Sequence, residues 1–409
     1  MEEEHVPVQD EVVATVEDQN ADYESDLNLT KVRECLKTVS VTAADWTTDT
    51  ILGQLEKGNI DLAPGFQRRD AWRPERKSRF IESLFLNLPI PQIVLAEQRG
   101  TRGQFLVIDG KQRLLTLRQF AARGEEEGFK PLRLSGLLVR KELNGQTLAD
   151  IEQSLFLNDE LTAYQNQTIR TVVIKNWQDE GVLYLLFHRL NTGSVPLSPQ
   201  ELRQALHPGR FVDFVDEYSA QSTQLWKLME NDQPDFRMRD AELLTRYFAF
   251  EFFLGLYAGN LKKFLDDTAD TLNRRWATEE PILKERARRF EAAIEVTLLA
   301  FGGNAFRRWN GTAFERRFNR AVIDIMLFYF SYPDIAEAAR RATPNEVCAR
   351  FIQACDTDVG FQQSLETTTK SLEATYRRFR VWAEALGGCL KVEVPMPEMV
   401  DNRIVVRGR

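Results

Sequence analysis

Cysteine and histidine are scarce in this 409-residue chain, which limits the disulfide and metal chemistry that it can carry. The four cysteines, Cys35, Cys348, Cys355 and Cys389, have no C-x-x-C spacing, and no histidine follows His207. This spacing argues against a disulfide framework or a zinc site and fits a reducing cytoplasm, where we expect the protein to reside. The chain also lacks an apolar run long enough to span a membrane and a secretion signal, so we expect no membrane partner.

Several catalytic motifs are missing as well. Gly110-Lys111 is followed by Gln112 instead of the Ser or Thr of a Walker phosphate loop, and neither G-x-S-x-G nor H-E-x-x-H occurs. His188 stands beside Arg189 in an apolar segment, where we interpret it as a packed, hydrogen-bonded side chain and not as a catalyst. These absences argue against the common serine hydrolases, zinc proteases and P-loop enzymes.

Charge is distributed unevenly along the chain, whose formal net charge is −8. Residues 1–30 contain ten acids and no Lys or Arg, so the remainder holds 51 acids against 53 bases. An acidic, weakly hydrophobic segment of this kind is expected to form a disordered, solvated tail. The nearly neutral remainder gives no overall electrostatic footprint for nucleic acid, so DNA stays an open partner.

Hydrophobic periodicity changes near residue 178 and predicts an α+β protein. We expect an acidic tail over residues 1–30, a mixed α/β domain over residues 31–177, a helical domain over residues 178–390 and a C-terminal tail over residues 391–409. The strands predicted in the mixed domain are residues 92–97, 104–108, 132–134, 136–140 and 168–174. The helices predicted in the helical domain are Val182–Leu190, Pro199–Leu206, Ala241–Tyr257, Leu261–Trp276, Pro281–Phe301, Ala313–Phe330, Asn345–Ala354 and Ser364–Leu386.

The stretch VIDGKQRLL, residues 107–115, is the most informative motif. An apolar strand over residues 105–108 is followed by a turn that needs Gly110 and by a helix whose leucines share one face. The free N–H groups of the first helical turn form an anion site, to which Arg113 adds a charged fork suited to phosphate oxygens. An ordinary strand, turn and helix with an exposed arginine is an equally good interpretation of these residues alone.

An upstream loop, DLAPGFQRRDAW at residues 61–72, is dense in polar groups and interrupted by Pro and Gly. It leads into a helix that starts near Pro74, a residue favoured at the first helical position. This helix has Phe80 and Ile81 on its apolar face and Glu82 on its polar side. The prolines of residues 88–91 then end helical geometry before the next strand.

A third polar segment, FHRLNTG at residues 187–193, follows the mixed domain. Asn191 is either a helix-ending residue or a ligand for phosphate oxygens, and the sequence supports both interpretations equally. Arg189 can neutralise negative charge. Ser198 and Glu201 have the spacing of a capping box at the start of the next helix.

Taken together, these blocks resemble the N-terminal domain of GmrSD-type restriction endonucleases. The FQR loop, ESLFLNLPIPQIVL, VIDGKQRLLTL and the RLNTG segment occur in the order typical of that bacterial family, and weaker similarity extends over residues 40–330. Most family members have DGQQR, whereas this chain has Lys111 at the third position. The family looks related to the ParB/sulfiredoxin superfamily, which implies a fold of that type for the first domain.

The resemblance implies a nucleoside-triphosphate pocket with Mg²⁺. The implied nucleotide ligands are Arg68, Gly110, Lys111, Gln112, Arg113, Arg189 and Asn191. The implied metal ligands are Asp109 and Asn191, because Mg²⁺ prefers hard oxygen ligands. The implied catalytic residues are Gln67, Glu82 and Asp109, which would position a water or the metal.

The resemblance further implies a nucleotide-dependent sensor or switch in defence against phage DNA. The family's fused nucleases carry a C-terminal module that needs a histidine, and no histidine follows His207 here. We therefore do not expect DNA cleavage by this chain alone, and a separate nuclease subunit is a candidate partner. A non-catalytic adaptor that binds DNA or a nuclease is the alternative, and a homo-oligomer is left open.

Overall fold

The fold comprises two compact units, seen in a computed structural model that describes residues 29–62, 70–124, 129–154, 156–190, 198–366 and 370–407. The first unit ends at Leu206 and the second begins at His207. This division lies later than the predicted change at residue 178 because Val182, Leu183 and Leu202 contribute to the core of the first unit. The α+β architecture, a mixed sheet followed by a helical region, is confirmed.

The described part of the first unit contains eight α-helices and four strands. The helices are α1 (Leu29–Leu36), α2 (Thr48–Glu56), α3 (Pro74–Phe85), α4 (Lys111–Ala121), α5 (Leu148–Glu152), α6 (Asn158–Asn166), α7 (Glu180–Leu190) and α8 (Pro199–Leu206). The strands are β1 (Ser40–Thr47), β2 (Ile93–Glu97), β3 (Phe105–Asp109) and β4 (Thr168–Lys175).

The four strands form one sheet in the order β1-β4-β2-β3. β4 pairs antiparallel with β1, and it pairs parallel with β2 in a register that sets Val172 against Val94. β2 and β3 are antiparallel neighbours, with Leu95 opposite Val107. The strand that ends at Asp109 therefore lies at one edge of the sheet.

Both faces of this sheet are covered, because successive residues of a strand point to opposite sides. Ile93 and Leu95 belong to one core with apolar residues of α2, α3, α4 and α6. Val94 and Ala96 belong to a second core with Val32 of α1 and with residues of α7 and α8. β3 is packed from both sides as well, since Val107 belongs to the first core and Ile108 to the second, and the turn after β3 is built on this strand.

The second unit is mainly helical in its described residues. Its helices are α9 (Arg210–Gln221), α10 (Thr223–Leu228), α11 (Arg239–Phe253), α12 (Leu261–Phe301), α13 (Arg320–Phe330), α14 (Pro333–Arg341), α15 (Pro344–Thr357), α16 (Val359–Glu366) and α17 (Leu372–Leu390). Two hairpins complete it, formed by β5 (Arg307–Trp309) with β6 (Phe314–Phe318) and by β7 (Met396–Val400) with β8 (Arg403–Arg407). None of the helices described is long and apolar enough to cross a membrane.

The predicted break between Trp276 and Pro281 is wrong, since α12 runs without interruption through Pro281 for 41 residues. Proline removes one backbone hydrogen bond inside a helix and usually kinks or ends it. Here buried residues on both sides hold the helix, and i,i+4 ion pairs of Arg275 with Glu279 and of Lys284 with Glu280 bridge the exposed stretch.

Three other predictions of secondary structure need correction. The segment predicted as one helix over Ala313–Phe330 forms β6 and then α13, and Asn319 caps the helix by accepting a hydrogen bond from the backbone N–H of Val322. The segment predicted over Ser364–Leu386 is divided between α16 and α17. Residues 132–134 and 136–140 are not strands; the backbone there bonds to a neighbouring turn, for example from the N–H of Leu134 to the carbonyl of Gln146.

Candidate functional site at the Gly110 turn

The turn between β3 and α4 has the strand, glycine and helix that the sequence predicts. Gly110 has a φ of 99°, in the left-handed region, which side chains disfavour. A Cβ atom at this position would lie 3.1 Å from Cγ1 of Ile93 and 3.3 Å from Nη2 of Arg113. The turn therefore depends on glycine for its backbone conformation and for the close approach of two side chains.

Arg113 folds back over this turn. Its Nη2 donates hydrogen bonds to the carbonyl of Gln92, at 2.9 Å, and to Oδ2 of Asp109, at 3.0 Å. The residue is only 6% exposed, and its Nε has no hydrogen-bond partner among the described residues. Asp109 thus orients the guanidinium of Arg113, and the N–H group at Nε can donate to a further acceptor.

The first turn of α4 is an uncapped helix N-terminus. Gly110 occupies the N-cap position, and no side chain caps the helix there. The first N–H groups of a helix have no partner within the helix, and the helix dipole favours negative charge beside them. Beside them, Oε1 of Gln112 is buried with no hydrogen-bond partner in the described part of the chain.

Lys111 points into the protein and pairs with Glu201 of α8. The two side chains are 6% and 5% exposed. Oε2 of Glu201 also accepts the backbone N–H of Ser198 at 2.6 Å, and Oγ of Ser198 accepts the N–H of Glu201 at 3.1 Å. The predicted capping box is therefore confirmed, and it is tied to the Gly110 turn through a buried ion pair that the sequence did not indicate.

Glu82 is fixed by a different loop. Its Oε1 accepts backbone N–H groups from Val139, at 2.9 Å, and from Arg140, at 2.7 Å. The residue is buried on α3, so its carboxylate stabilises the backbone of residues 139–140. These hydrogen bonds show that Glu82 stabilises the structure. Its catalytic role remains a prediction.

A polar cluster that the sequence did not reveal joins the end of the FQR loop to two helices. Nζ of Lys77 pairs with Asp70 and donates to Oε1 of Gln119 at 2.7 Å, and Nε2 of Gln119 donates to Asp70 at 3.2 Å. Lys77 and Gln119 are buried on α3 and α4. In the sequence, this cluster corresponds to a lysine and a glutamine on otherwise apolar helix faces. Their pairing can be recognised only when the fold is known.

Three of the remaining predicted site residues lie in segments that the structure does not describe. Gln67, Arg68 and Asn191 lie outside the described residues, as does the side chain of His188. Arg189 lies exposed on α7. Of the ten predicted site residues, the structure brings Asp109, Gly110, Lys111, Gln112 and Arg113 together at one turn.

The residues of this turn fit a phosphate group better than a complete magnesium site. Uncapped backbone N–H groups and the buried Nε of Arg113 are donors of the kind that phosphate oxygens accept. The carboxylate of Asp109 is a suitable ligand for Mg²⁺, but one of its oxygens is already bound to Arg113. Asn191, the second predicted metal ligand, is not among the residues described.

Part of the chain is similar to a known protein family. Residues 50–208 match the family model described as the N-terminal domain of GmrSD restriction endonuclease. The match includes the FQR loop, the Gly110 turn, α7 and α8. No curated protein and no solved structure matches the chain.

Proposed function

Because residues 50–208 belong to the family of GmrSD N-terminal domains, we propose that this chain is a component of a restriction or anti-phage defence system. In this proposal the first unit binds a nucleoside triphosphate at the Gly110 turn and hydrolyses it with Mg²⁺. Binding and hydrolysis would act as a switch for an action on DNA.

One observation carries the proposal: the buried Nε of Arg113, a donor, has no hydrogen-bond partner in the described part of the chain and lies at the uncapped start of α4. Buried polar atoms are nearly always hydrogen-bonded, so such a donor at a helix N-terminus supports a polar ligand there. A phosphate group would accept from the helix N–H groups and from Arg113.

The chemistry assigned to this chain is mainly positioning. Arg113, oriented by Asp109, would stabilise negative charge that develops on phosphate oxygens. Asp109 and Asn191 would hold Mg²⁺, which supplies further positive charge to the triphosphate. Gln67 and Arg68 would contribute from the FQR loop, as the family resemblance implies.

The test is phosphate release by the purified full chain with each nucleoside triphosphate and Mg²⁺, alongside calorimetric binding. We expect Arg113→Ala to abolish release, because it removes the one buried guanidinium at the turn. The matched control is Arg123→Ala, which removes an exposed arginine just beyond α4 that pairs with Glu152. We expect release by this variant to match that of the parent protein.

Since Arg113→Ala also strips Asp109 of a partner, folding is checked by thermal unfolding, and Arg113→Lys provides a second variant that keeps the charge. A ligand that binds the native state raises the unfolding temperature, so the nucleotide-induced shift reports binding separately from turnover. If the parent protein neither binds nor hydrolyses any nucleoside triphosphate, the proposal is overturned.

A second function is favoured by the internal ion pairs of this turn. Asp109 binds Arg113 and Glu201 binds Lys111, so much of the local charge is satisfied within the protein. This arrangement suits a non-catalytic adaptor that keeps the fold without turnover and binds DNA or a nuclease subunit through residues outside the turn. It predicts no phosphate release and DNA binding that weakens steeply as salt rises.

A further inference from the structure

A groove in the second unit lies along the first turns of α12 and has a volume of about 390 Å³. We call it the α12 groove. The residues that carry the argument are Phe253, Leu256, Lys263, Asp267, Arg274 and Arg275. Positions 263, 267, 271 and 274 share one face of the helix, since residues three and four apart are neighbours on a helix surface. The groove is therefore built on a rigid element.

The charges of the groove are unbalanced. Nζ of Lys263 pairs with Oδ2 of Asp267 at 2.6 Å, so these two groups largely neutralise each other. Arg274 donates to Oγ1 of Thr271 at 3.2 Å and has no carboxylate partner among the described residues. Arg275 lies 3.6 Å from Glu279 and is about half exposed. Because Arg275 pairs with Glu279 as Lys263 pairs with Asp267, the positive charge of the groove that has no carboxylate partner in the described part of the chain is that of Arg274.

Part of the lining of the groove is apolar. Leu256 lines the groove and is 67% exposed, so its side chain can contact a ligand. Phe253 is partly buried, and Cζ of Arg275 lies 5.9 Å from the centre of its ring. An apolar, partly aromatic surface thus adjoins guanidinium groups in a groove large enough for a small ligand.

We propose that the α12 groove binds a nucleotide, with its phosphate at Arg274 and Arg275 and its base against Phe253 and Leu256. A nucleotide combines a flat, apolar ring with a phosphate a short distance away, which matches the apolar and the charged lining of the groove. Aromatic side chains stack on bases, and arginine forks bind phosphate oxygens. This function is additional to that of the Gly110 turn.

The nucleotide can belong to a single strand of nucleic acid or be free in solution, and the test separates these sources. The probes are a fluorescein-labelled oligodeoxythymidine of twelve nucleotides and unlabelled dTMP as competitor, both with the full chain. Release of the labelled strand by dTMP identifies a site for free nucleotides. Binding of the strand without competition by dTMP identifies a strand site.

The variant Arg274→Gln removes one positive charge from the groove, and Arg288→Gln removes one from the same helix outside it. Arg288 is exposed and pairs with Glu285, so it controls for the general effect of charge on nucleic-acid binding. We expect a rise of at least about 10-fold in the Kd of the strand for Arg274→Gln, in keeping with the loss of about one charge-assisted hydrogen bond. We expect a change of less than about twofold for Arg288→Gln.

Leu256→Ser tests the apolar lining without changing charge. We expect about a threefold rise in Kd, because the variant removes apolar contact area but no phosphate ligand. Thermal unfolding of the variants serves as the control for folding of the second unit, and we expect Arg274→Gln to unfold at the temperature of the parent protein. Equal affinities of Arg274→Gln and Arg288→Gln, or no binding of either probe by the parent protein, would overturn the proposal.

Discussion

The two units contain lysine–carboxylate ion pairs in opposite environments, one buried and one exposed. Lys111 pairs with Glu201 in the interior of the first unit, where the two side chains are 6% and 5% exposed. Lys263 pairs with Asp267 on the surface of the second unit, where the corresponding values are 70% and 60%. A buried charge that loses its partner keeps its desolvation cost, whereas water replaces the partner of an exposed charge. The Gly110 turn is therefore expected to tolerate change poorly and the α12 groove to tolerate it well.

The strongest test of this contrast is to remove each lysine. Lys111→Met leaves the carboxylate of Glu201 buried without its cation, so we expect the free energy of unfolding to fall by about 3–5 kcal/mol. Lys263→Met is expected to lower it by less than about 1 kcal/mol. Chemical denaturation of the full chain measures both, and amide exchange in α8 assigns the loss to the first unit.

The double variant Lys111→Met with Glu201→Gln sharpens this result. Because it removes both charges, it should be less destabilised than the single variant, apart from a weaker capping of α8 at Ser198. Equal losses for Lys111→Met and Lys263→Met would show that the buried pair contributes no more than a surface pair.

A smaller effect is expected from glycine substitutions in the first unit. Gly110→Ala places a Cβ 3.1 Å from Ile93 at a positive φ, so we expect a loss of about 1–3 kcal/mol in stability. Gly53 lies inside α2, and no atom outside its own helical turn lies within 4 Å of the place that a Cβ would take, so Gly53→Ala should stabilise the protein by up to about 1 kcal/mol. Thermal unfolding of the two variants should therefore shift in opposite directions.

The smallest effect is expected at the α12 groove. Arg274 is exposed and bonds only to the hydroxyl of Thr271 among the described residues, so Arg274→Gln should change the free energy of unfolding by no more than about 0.5 kcal/mol. Chemical denaturation checks this expectation. A large loss of stability would mean that Arg274 contributes to the fold. Nucleotide binding at the groove would then be judged from the Leu256→Ser variant.

The sequence predicted the elements that depend on local signals. The strand ending at Asp109, the glycine turn and the helix after it follow from apolar runs and one conformational requirement. The capping box of Ser198 with Glu201 follows from short-range hydrogen bonding. These features need no knowledge of distant residues.

Long-range pairing was not predictable in the same way. β1 carries small and polar residues with no clear alternation, and only its register with β4, which places Ser40 opposite Lys175, makes it a strand. The partner of Lys111 lies 90 residues later in the chain. Asp109 ends a strand and Arg113 lies in the following helix, so their hydrogen bond depends on the turn at Gly110 and does not follow from helical spacing.

The continuity of α12 across Pro281 determines how a protease would attack this unit. Two helices joined by a loop at residues 277–280 would leave Arg274 and Arg275 in a last turn that frays readily and is open to trypsin, whereas an unbroken helix must open internally before cleavage. Proline leaves the carbonyl of Ala277 without its usual helical donor, so opening is easiest there. The rate of cleavage after these arginines therefore measures the free energy of local opening of α12 near Ala277. We expect trypsin to cut the Pro281→Ala variant more slowly, because alanine restores the missing backbone donor.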